Sequence, residues 1–428
     1  MTGYNLAGYH RAMSVALISA VDPYPTNAGK MVVLAGFIEY FAARHGADNV
    51  HYIKVGAPPV EQFPVRVHVV PGPSRAEVLA NVMTKVVTGR ASLQEAFLGS
   101  ARTAAAITSI LEEIRPTLQV YDTVRMAQYA PDRIATDQIC YLDDLFSQRY
   151  DRMLEAAALY PDVDISPLGN FAEHIPRRLQ QWATNRIGQS VLLRAERSLV
   201  RRSEDRVARR FRRSLLINAG EAAVLRERTG LPVERISDVP PLLSAPATVE
   251  RRYDGRPEFV FLGLLSLPHN DDGLRWFLRD IWPTVLQRRP DAHLRVIGRE
   301  ARPEVLTLAK RMGSTVSVDG YVPDLSGALS QAAALVNPLR FGSGIKLKVI
   351  EALAAAVPVV STPVGAEGVA SGAGTGIVVA REPAAIADGL LMLTDPARNA
   401  EISAAAQAHF LDAFSREAVF RAYDATFA

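Results

Sequence analysis

The sequence predicts an α/β architecture of two doubly wound parallel-sheet domains. Apolar runs of strand length alternate with stretches of helical length from end to end, the pattern of parallel sheets covered on both faces. The 428 residues suffice for two separate cores. A proline-rich break, Val239-Pro-Pro-Leu-Leu-Ser-Ala-Pro246, divides the strands into two series and reads as an interdomain linker. The expected domains are therefore residues 1–242 and 243–410, followed by a helix over 411–428 that packs back towards the first domain.

In the first series the expected strands are Ser14–Ala20, Asn49–Val55, Val65–Val70, Thr117–Tyr121, Gln138–Leu142 and Ser214–Asn218. Helical patterns over Lys30–His45, Ser92–Ile114 and Leu192–Arg213 lie between them. The second series has expected strands at Phe259–Leu262, His293–Ile297, Ser314–Val318, Ala334–Asn337, Val357–Ser361 and Gly376–Val379. Two such units in series place a ligand in the cleft between them, where loops and helix N-termini converge at the carboxyl ends of the strands.

Composition narrows the class. Nearly half of the chain is apolar and the formal net charge is +3, the balance of an ordinary globular protein rather than a disordered or nucleic-acid-coating one. Cys140 is the single cysteine, which excludes an internal disulfide framework and suits a reducing compartment. No apolar run reaches membrane-spanning length, and the first ten residues lack the charged start and apolar core of a signal peptide. The expected location is the cytoplasm. Between Pro176 and Leu215 twelve arginines face three acids, Glu196, Glu204 and Asp205. This segment, 177–213, reads either as a solvated helix face laced with ion pairs or as a contact to an anionic membrane surface at the inner face. Nucleic acid is not expected as a partner, because no aromatic side chains are interleaved as a stacking platform.

The polar loops after the strands hold the candidate chemistry. Asp22-Pro-Tyr-Pro-Thr-Asn-Ala-Gly-Lys30 leaves a strand and enters a helix, so Gly29 and Lys30 either present amides to a substrate or serve the turn alone. Asp122 and Arg125 follow the fourth strand, and Asp143 and Asp144 the fifth. Paired carboxylates there suit the orientation or deprotonation of an acceptor hydroxyl, and N-capping of the next helix competes with that role. In the second series His269 is a candidate general acid or a cap-region histidine. Arg299, after Gly298, is placed to stack on a base or meet a phosphate. Tyr321 and Val322 belong to a turn whose backbone can hold a nucleobase. No histidine cluster and no Asp-x-Asp pair marks a metal site, so none is expected.

The most informative stretch is Asn337-Pro-Leu-Arg-Phe-Gly-Ser-Gly-Ile-Lys-Leu-Lys-Val-Ile-Glu351. It reads as a strand end, a glycine turn and a helix opening on two lysines, which together form an anion site. Gly342, Ser343 and Gly344 let backbone N–H groups approach a ligand at the helix start. Lys346 and Lys348 stand in the first turn, against the helix dipole, a cost that a bound anion offsets.

With Phe259-Val-Phe-Leu-Gly263, Pro268-His-Asn-Asp-Asp-Gly-Leu274, Leu294-Arg-Val-Ile-Gly298, Val318-Asp-Gly-Tyr-Val-Pro-Asp324 and Pro358-Val-Val-Ser-Thr362, this stretch resembles the GT-B glycosyltransferases. The resemblance is to the retaining, family-four-like enzymes, in a branch with Gly-x-Gly-x-Lys-x-Lys at this turn, and covers roughly 259–395. The first half matches more loosely, through its opening strand and loop and through Tyr141-Leu-Asp-Asp-Leu-Phe-Ser-Gln-Arg-Tyr150. The resemblance implies two Rossmann-like domains and transfer of a sugar from a nucleoside diphosphate, UDP or GDP, to a glycan, lipid-linked or other hydroxyl acceptor. It implies no cofactor and no metal, and a place in surface polysaccharide or glycolipid synthesis. Donor-binding residues by resemblance are Gly263, Ser266, His269, Arg299, Tyr321, Val322, Gly342, Ser343, Gly344, Ile345, Lys346, Lys348 and Glu351, with Glu351 on the ribose. Asp22, Gly29, Lys30, Asp122, Arg125, Asp143 and Asp144 fall to the acceptor, and Asp143, Lys346 and Glu351 to catalysis. The chain departs from the family at Ser343, where the first of two glutamates is usual. It departs again at Leu264 and His269, where an arginine and a lysine usually clamp the diphosphate. Lys346 is the expected substitute. A non-catalytic scaffold or glycan-binding partner of another transferase is the alternative, and a nucleotide-sugar epimerase the lesser one.

Overall fold

The computed structural model describes residues 13–26, 29–131, 136–160, 186–243 and 251–427. By internal contacts these divide into two compact units. The first holds the described residues up to Asp143 with Arg202–Leu215 and Leu225–Ser237. The second holds those of Asp144–Arg201, Leu216–Val224 and Asp238–Ala428.

Strands β1 (Val15–Ser19), β2 (Val50–Val55), β3 (Arg66–Val70), β4 (Leu118–Asp122), β5 (Asp137–Asp143), β6 (Arg213–Leu216) and β7 (Ile236–Asp238) form a seven-stranded sheet of order β3-β2-β1-β4-β5-β6-β7. A six-stranded sheet follows, of order β10-β9-β8-β11-β12-β13. Its strands are β8 (Glu258–Leu262), β9 (His293–Ile297), β10 (Val316–Gly320), β11 (Ala334–Asn337), β12 (Val359–Ser361) and β13 (Ile377–Val379). Neighbouring strands pair in parallel, as in β1 with β2 and β4, and β8 with β9 and β11. Each sheet therefore has a point where the order reverses, between β1 and β4 in one and between β8 and β11 in the other. The loops after those strands open a crevice there. The expected two doubly wound parallel sheets are what the chain forms.

Side-chain alternation explains why the six-stranded sheet is buried on both faces. Phe259, Phe261, Val336 and Val360 point into one core with Phe277, Trp282 and Leu390. Val260, Leu335 and Val359 point into the other with Leu329, Val349 and Leu353. All twelve expected strands are present within two residues at each end; β7 is an additional short one.

Two local expectations are corrected, the single helix over Ser92–Ile114 and the start of the helix after the glycine turn. The stretch Ser92–Ile114 is two helices, Leu93–Ala96 and Ala101–Ile114. Ser92 forms a capping box with Glu95, and the Ser100 hydroxyl accepts from the Thr103 amide at 3.3 Å, so two N-caps within nine positions break the run. The proline-rich stretch is packed where it is described: Val239 and Leu242 are buried, and the Tyr423 hydroxyl donates to the Pro240 carbonyl at 2.9 Å. Residues 244–246 of that stretch lie outside the described ones. The helix after the glycine turn begins at Leu347, and Lys346 is its N-cap in extended conformation.

One close backbone approach holds the loops at the top of this sheet. Gly263 donates to the Ile297 carbonyl at 3.1 Å and Gly298 to the Gly320 carbonyl at 2.8 Å. A Cβ added at Gly298, whose φ is +158°, would be driven into the Gly263 carbonyl oxygen. Gly298→Ala is expected to destabilise the second unit by about 1–3 kcal/mol, the usual range for overpacking. The shift of its urea unfolding midpoint measures this, and an unchanged midpoint contradicts it.

Candidate active site

In the second unit the site lies at the switch point. The loop after β8 runs from Gly263 into helix Pro268–Trp276, and the loop after β11 runs from Pro338 into helix Leu347–Ala354. Asn270 straps them together: its side-chain N–H donates to the Leu264 carbonyl at 2.9 Å, and its oxygen accepts from Lys348 Nζ at 2.9 Å. Gly342 and Gly344 have φ of +135° and +69°, which a side chain would strain, so the turn needs glycine at both.

The cations expected to face a phosphate are already engaged. Lys346 is buried and folds back on its own turn, donating from Nζ to the Ser343 carbonyl at 2.9 Å and the Gly344 carbonyl at 2.6 Å. Burial lowers its pKa to about 8, against the pull of Glu367. Lys348 donates to Asn270 and lies 4.8 Å over the Phe261 ring, and burial followed by repulsion from Lys346 lowers it to about 7. Glu351 is pushed upward by burial, with Lys348 opposing. No hydrogen bond to its carboxylate is present among the described residues. His269 is pushed down to about 3 by burial and then by Lys348, Lys346 and Arg149. A ring pushed that low is neutral near pH 7.

A helix that sequence reasoning left aside completes this site. Helix Phe146–Leu159 lays Arg149 and Arg152 against the glycine turn, one turn apart on one face. Arg149 Nε donates to the Ser343 hydroxyl at 2.9 Å, and its guanidinium forks onto Asp144. Arg152 pairs with both oxygens of Glu367, reaches the Gly342 carbonyl at 3.5 Å and stands 4.0 Å from Glu221. Glu221 is fully buried, accepts from the Leu145 amide at 2.8 Å, and is raised to about 8 by burial and the nearby Asp144. A cavity of about 310 Å³ opens here, walled by Arg149, Arg152, His269, Phe341, Gly342 and Ser343 among others. The available signal was the i, i+3 spacing of two arginines after a carboxylate-bearing loop.

The remaining donor candidates lie on neighbouring loops. The Ser266 hydroxyl donates to Glu300 at 2.6 Å, and Arg299 lies 4.3 Å over the ring of Tyr321, itself 64% exposed. The Val322 and Ile345 side chains pack against the core.

In the first unit the candidates gather at the β1/β4 switch point. Asp122 takes the Ser19 hydroxyl at 2.6 Å and the Lys30 ammonium at 2.7 Å. Its backbone occupies an N-cap position, and its side chain makes no capping hydrogen bond. Asp22 accepts from the Val60 amide at 3.1 Å, and its other oxygen is buried without a hydrogen bond. Gly29 begins helix Gly29–His45, and Arg125 Nε donates to Gln94 at 2.6 Å. Asp143 and Asp144 have different partners. Asp143, at φ +70°, accepts from the Tyr141 hydroxyl at 2.8 Å, whereas Asp144 turns to Arg149 and Ser343. The N-cap position of the following helix is Leu145.

The arginine-rich segment is described from 186 onward, in helix Arg186–Arg210. Arg197 pairs with Asp151 and Arg206 with Glu95, while Arg201, Arg202 and Arg209 are exposed. Among the described residues no helix is long and apolar enough to cross a membrane, and no group of three His, Cys, Asp or Glu could hold a metal ion.

Residues 256–395 match the family Glycosyl transferases group 1. A Klebsiella pneumoniae protein, the uncharacterized 44.6 kDa protein in the cps region, is 30% identical over 129 residues, 29% of this chain and 33% of that one. The match thus spans about a third of that relative. TarM superposes with a TM-score of 0.63 at 8% identity, over 98% of this chain and 99% of that one. HepE of Anabaena, crystallised with UDP and glucose, superposes with a TM-score of 0.61 at 12% identity, over 97% and 99%. The fold is that of the GT-B glycosyltransferases.

Glu221 is protonated in the folded state up to about pH 8 and in the unfolded chain only up to about 4.5. Its contribution to stability is full below pH 4.5 and is lost as pH rises through 8. Glu221→Gln retains an acceptor for the Leu145 amide. Its stability relative to the parent should therefore rise between pH 5 and pH 9 in parallel urea titrations, and a constant difference contradicts this.

Proposed function

We propose that this protein is a glycosyltransferase that takes a sugar from a nucleoside diphosphate, UDP or GDP, and places it on an acceptor hydroxyl with retention at the anomeric carbon. One observation carries the reading. A glycine turn with a lysine at the helix N-cap, and a half-buried carboxylate one turn further along, sit at the switch point of a sheet whose segment 256–395 matches a sugar-transferase family. Backbone amides and positive charge at that place suit the leaving diphosphate, whose charge grows as the glycosidic bond breaks. The third N–H of Lys346, beyond the two given to carbonyls, is assigned to it. Glu351, without a hydrogen-bond partner among the described residues, is assigned to the ribose hydroxyls. HepE, crystallised with UDP and glucose, supports a uridine donor, and the relative from a cps region supports polysaccharide synthesis.

The acceptor is assigned to the first unit, around Asp22, Lys30 and Asp122, with Asp143 near the reacting hydroxyl. Docking on an anionic inner membrane face through Arg201, Arg202 and Arg209 is part of the reading, motivated by their exposure. A second reading, a non-catalytic scaffold, is favoured by the engagement of the site's cations with the protein's own groups.

Calorimetry separates the two. Under the enzyme reading UDP or GDP binds, and Glu351→Ala weakens that binding about 10–100-fold, the worth of a hydrogen bond to a charged group. Inhibition by inorganic pyrophosphate should be unchanged in this variant. Absence of binding by either nucleotide favours the scaffold. For the membrane, flotation with vesicles containing phosphatidylserine should carry the protein upward, and replacing Arg201, Arg202 and Arg209 by glutamine should abolish this. Flotation unaffected by the replacement contradicts membrane docking through these residues.

A further inference from the structure

The loop after β8 has Leu264 and His269 where cations are needed, and His269 is neutral. Lys346 has given two donors to carbonyls of its own turn, and Lys348 one to Asn270. The charge that borders the cavity comes instead from helix Phe146–Leu159. We propose that Arg149 and Arg152 are the diphosphate-binding cations of this site, doing from a distant helix what the loop after β8 cannot. The proposal rests on the donor reading above.

Three features support a ligand role over a purely structural one. Both guanidinium groups reach the same turn, Arg149 at the Ser343 hydroxyl and Arg152 at the Gly342 carbonyl, so a phosphate seated on that turn lies within their range. Their side chains keep 37% and 24% exposure beside an open cavity, where an ion pair serving only to tie elements together would be closed over. Each is also aimed by a carboxylate. Asp144 is buried behind Arg149, and the partly exposed Glu367 pairs with Arg152. A fork fixed in this way loses little freedom on binding, and guanidinium geometry matches two oxygens of a phosphate. Two arginines one helical turn apart match the spacing of two linked phosphates better than one. A monophosphate engages one fork, a diphosphate both. Ser343 then has a reason to stand where the family has an acid: its hydroxyl accepts from Arg149 without neutralising it.

The test is calorimetric titration of the full chain with UDP, GDP, UMP, GMP and inorganic pyrophosphate. Arg149→Gln and Arg152→Gln should each weaken the diphosphate that binds by about 10–100-fold, the loss expected for a charge-assisted contact. The matching monophosphate should weaken clearly less in at least one of them. Arg149→Lys, which keeps charge without the fork, should fall between. If Arg149→Gln fails to fold because Asp144 is left unpaired, the pair Asp144→Asn with Arg149→Gln restores a neutral contact and should show the same loss. Folded variants that bind UDP or GDP as the parent does overturn the proposal, and if Lys346→Ala then loses binding the donor reading survives it. A parent protein that binds neither nucleoside diphosphate nor pyrophosphate overturns both.

Discussion

Strands β8 and β11 lie side by side in the second sheet, although 71 residues separate Leu262 from the start of β11 at Ala334. The crossover from β8 goes to β9 on one side, and that from β11 to β12 on the other. Parallel strands need crossovers of one hand, so reversing direction carries the two connections apart and leaves the loops at their carboxyl ends uncovered. What is placed in that crevice follows from this. The turn Gly342–Gly344 arrives from one side and the Gly263–His269 loop from the other, and Asn270 bonds to both the Leu264 carbonyl and the Lys348 ammonium.

Electrostatics then decides how the cations of this site are held. Helix Phe146–Leu159 brings two partly exposed arginines, and Lys346 adds a third, buried cation. Such charges need partners. The chain supplies them internally, from Asp144, Glu367 and the Ser343 and Gly344 carbonyls. Glu221, crowded by Asp144 and fully buried, stays protonated near neutral pH and leaves the cluster with a positive excess. The site is pre-paired yet cationic.

The first sheet repeats the logic with different chemistry. Its switch point, between β1 and β4, collects Asp122 with the Ser19 hydroxyl, by a hydrogen bond, and the Lys30 ammonium, by an ion pair. Thr123 and Asp143 both hold positive φ directly at the ends of their strands, at 63° and 70°. Non-glycine residues bear that conformation only where surrounding structure enforces it, and such places cluster in functional loops.

Sequence alone was enough to determine the strands, the two sheets and the glycine turn. Each rests on local pattern: a continuous apolar run in Phe259–Leu262, the β-branched pair Val359-Val360 in β12, and glycines where φ must be positive. A local capping pattern did not reveal itself as readily, and the Ser92–Ile114 run hid two N-caps inside an otherwise helical period. Only the tertiary structure decided which side chains share the site. Arg149 and Ser343 are 194 positions apart, Arg152 and Glu367 215, and no spacing rule links them. Asp143 and Asp144 look like a pair in the sequence, yet a left-handed backbone at Asp143 and separate partners send their carboxylates apart. The lysines, likewise, were legible as charge, but not as charge folded back on its own turn. Burial and hydrogen-bond supply at one point in space set these outcomes, and both depend on the whole chain.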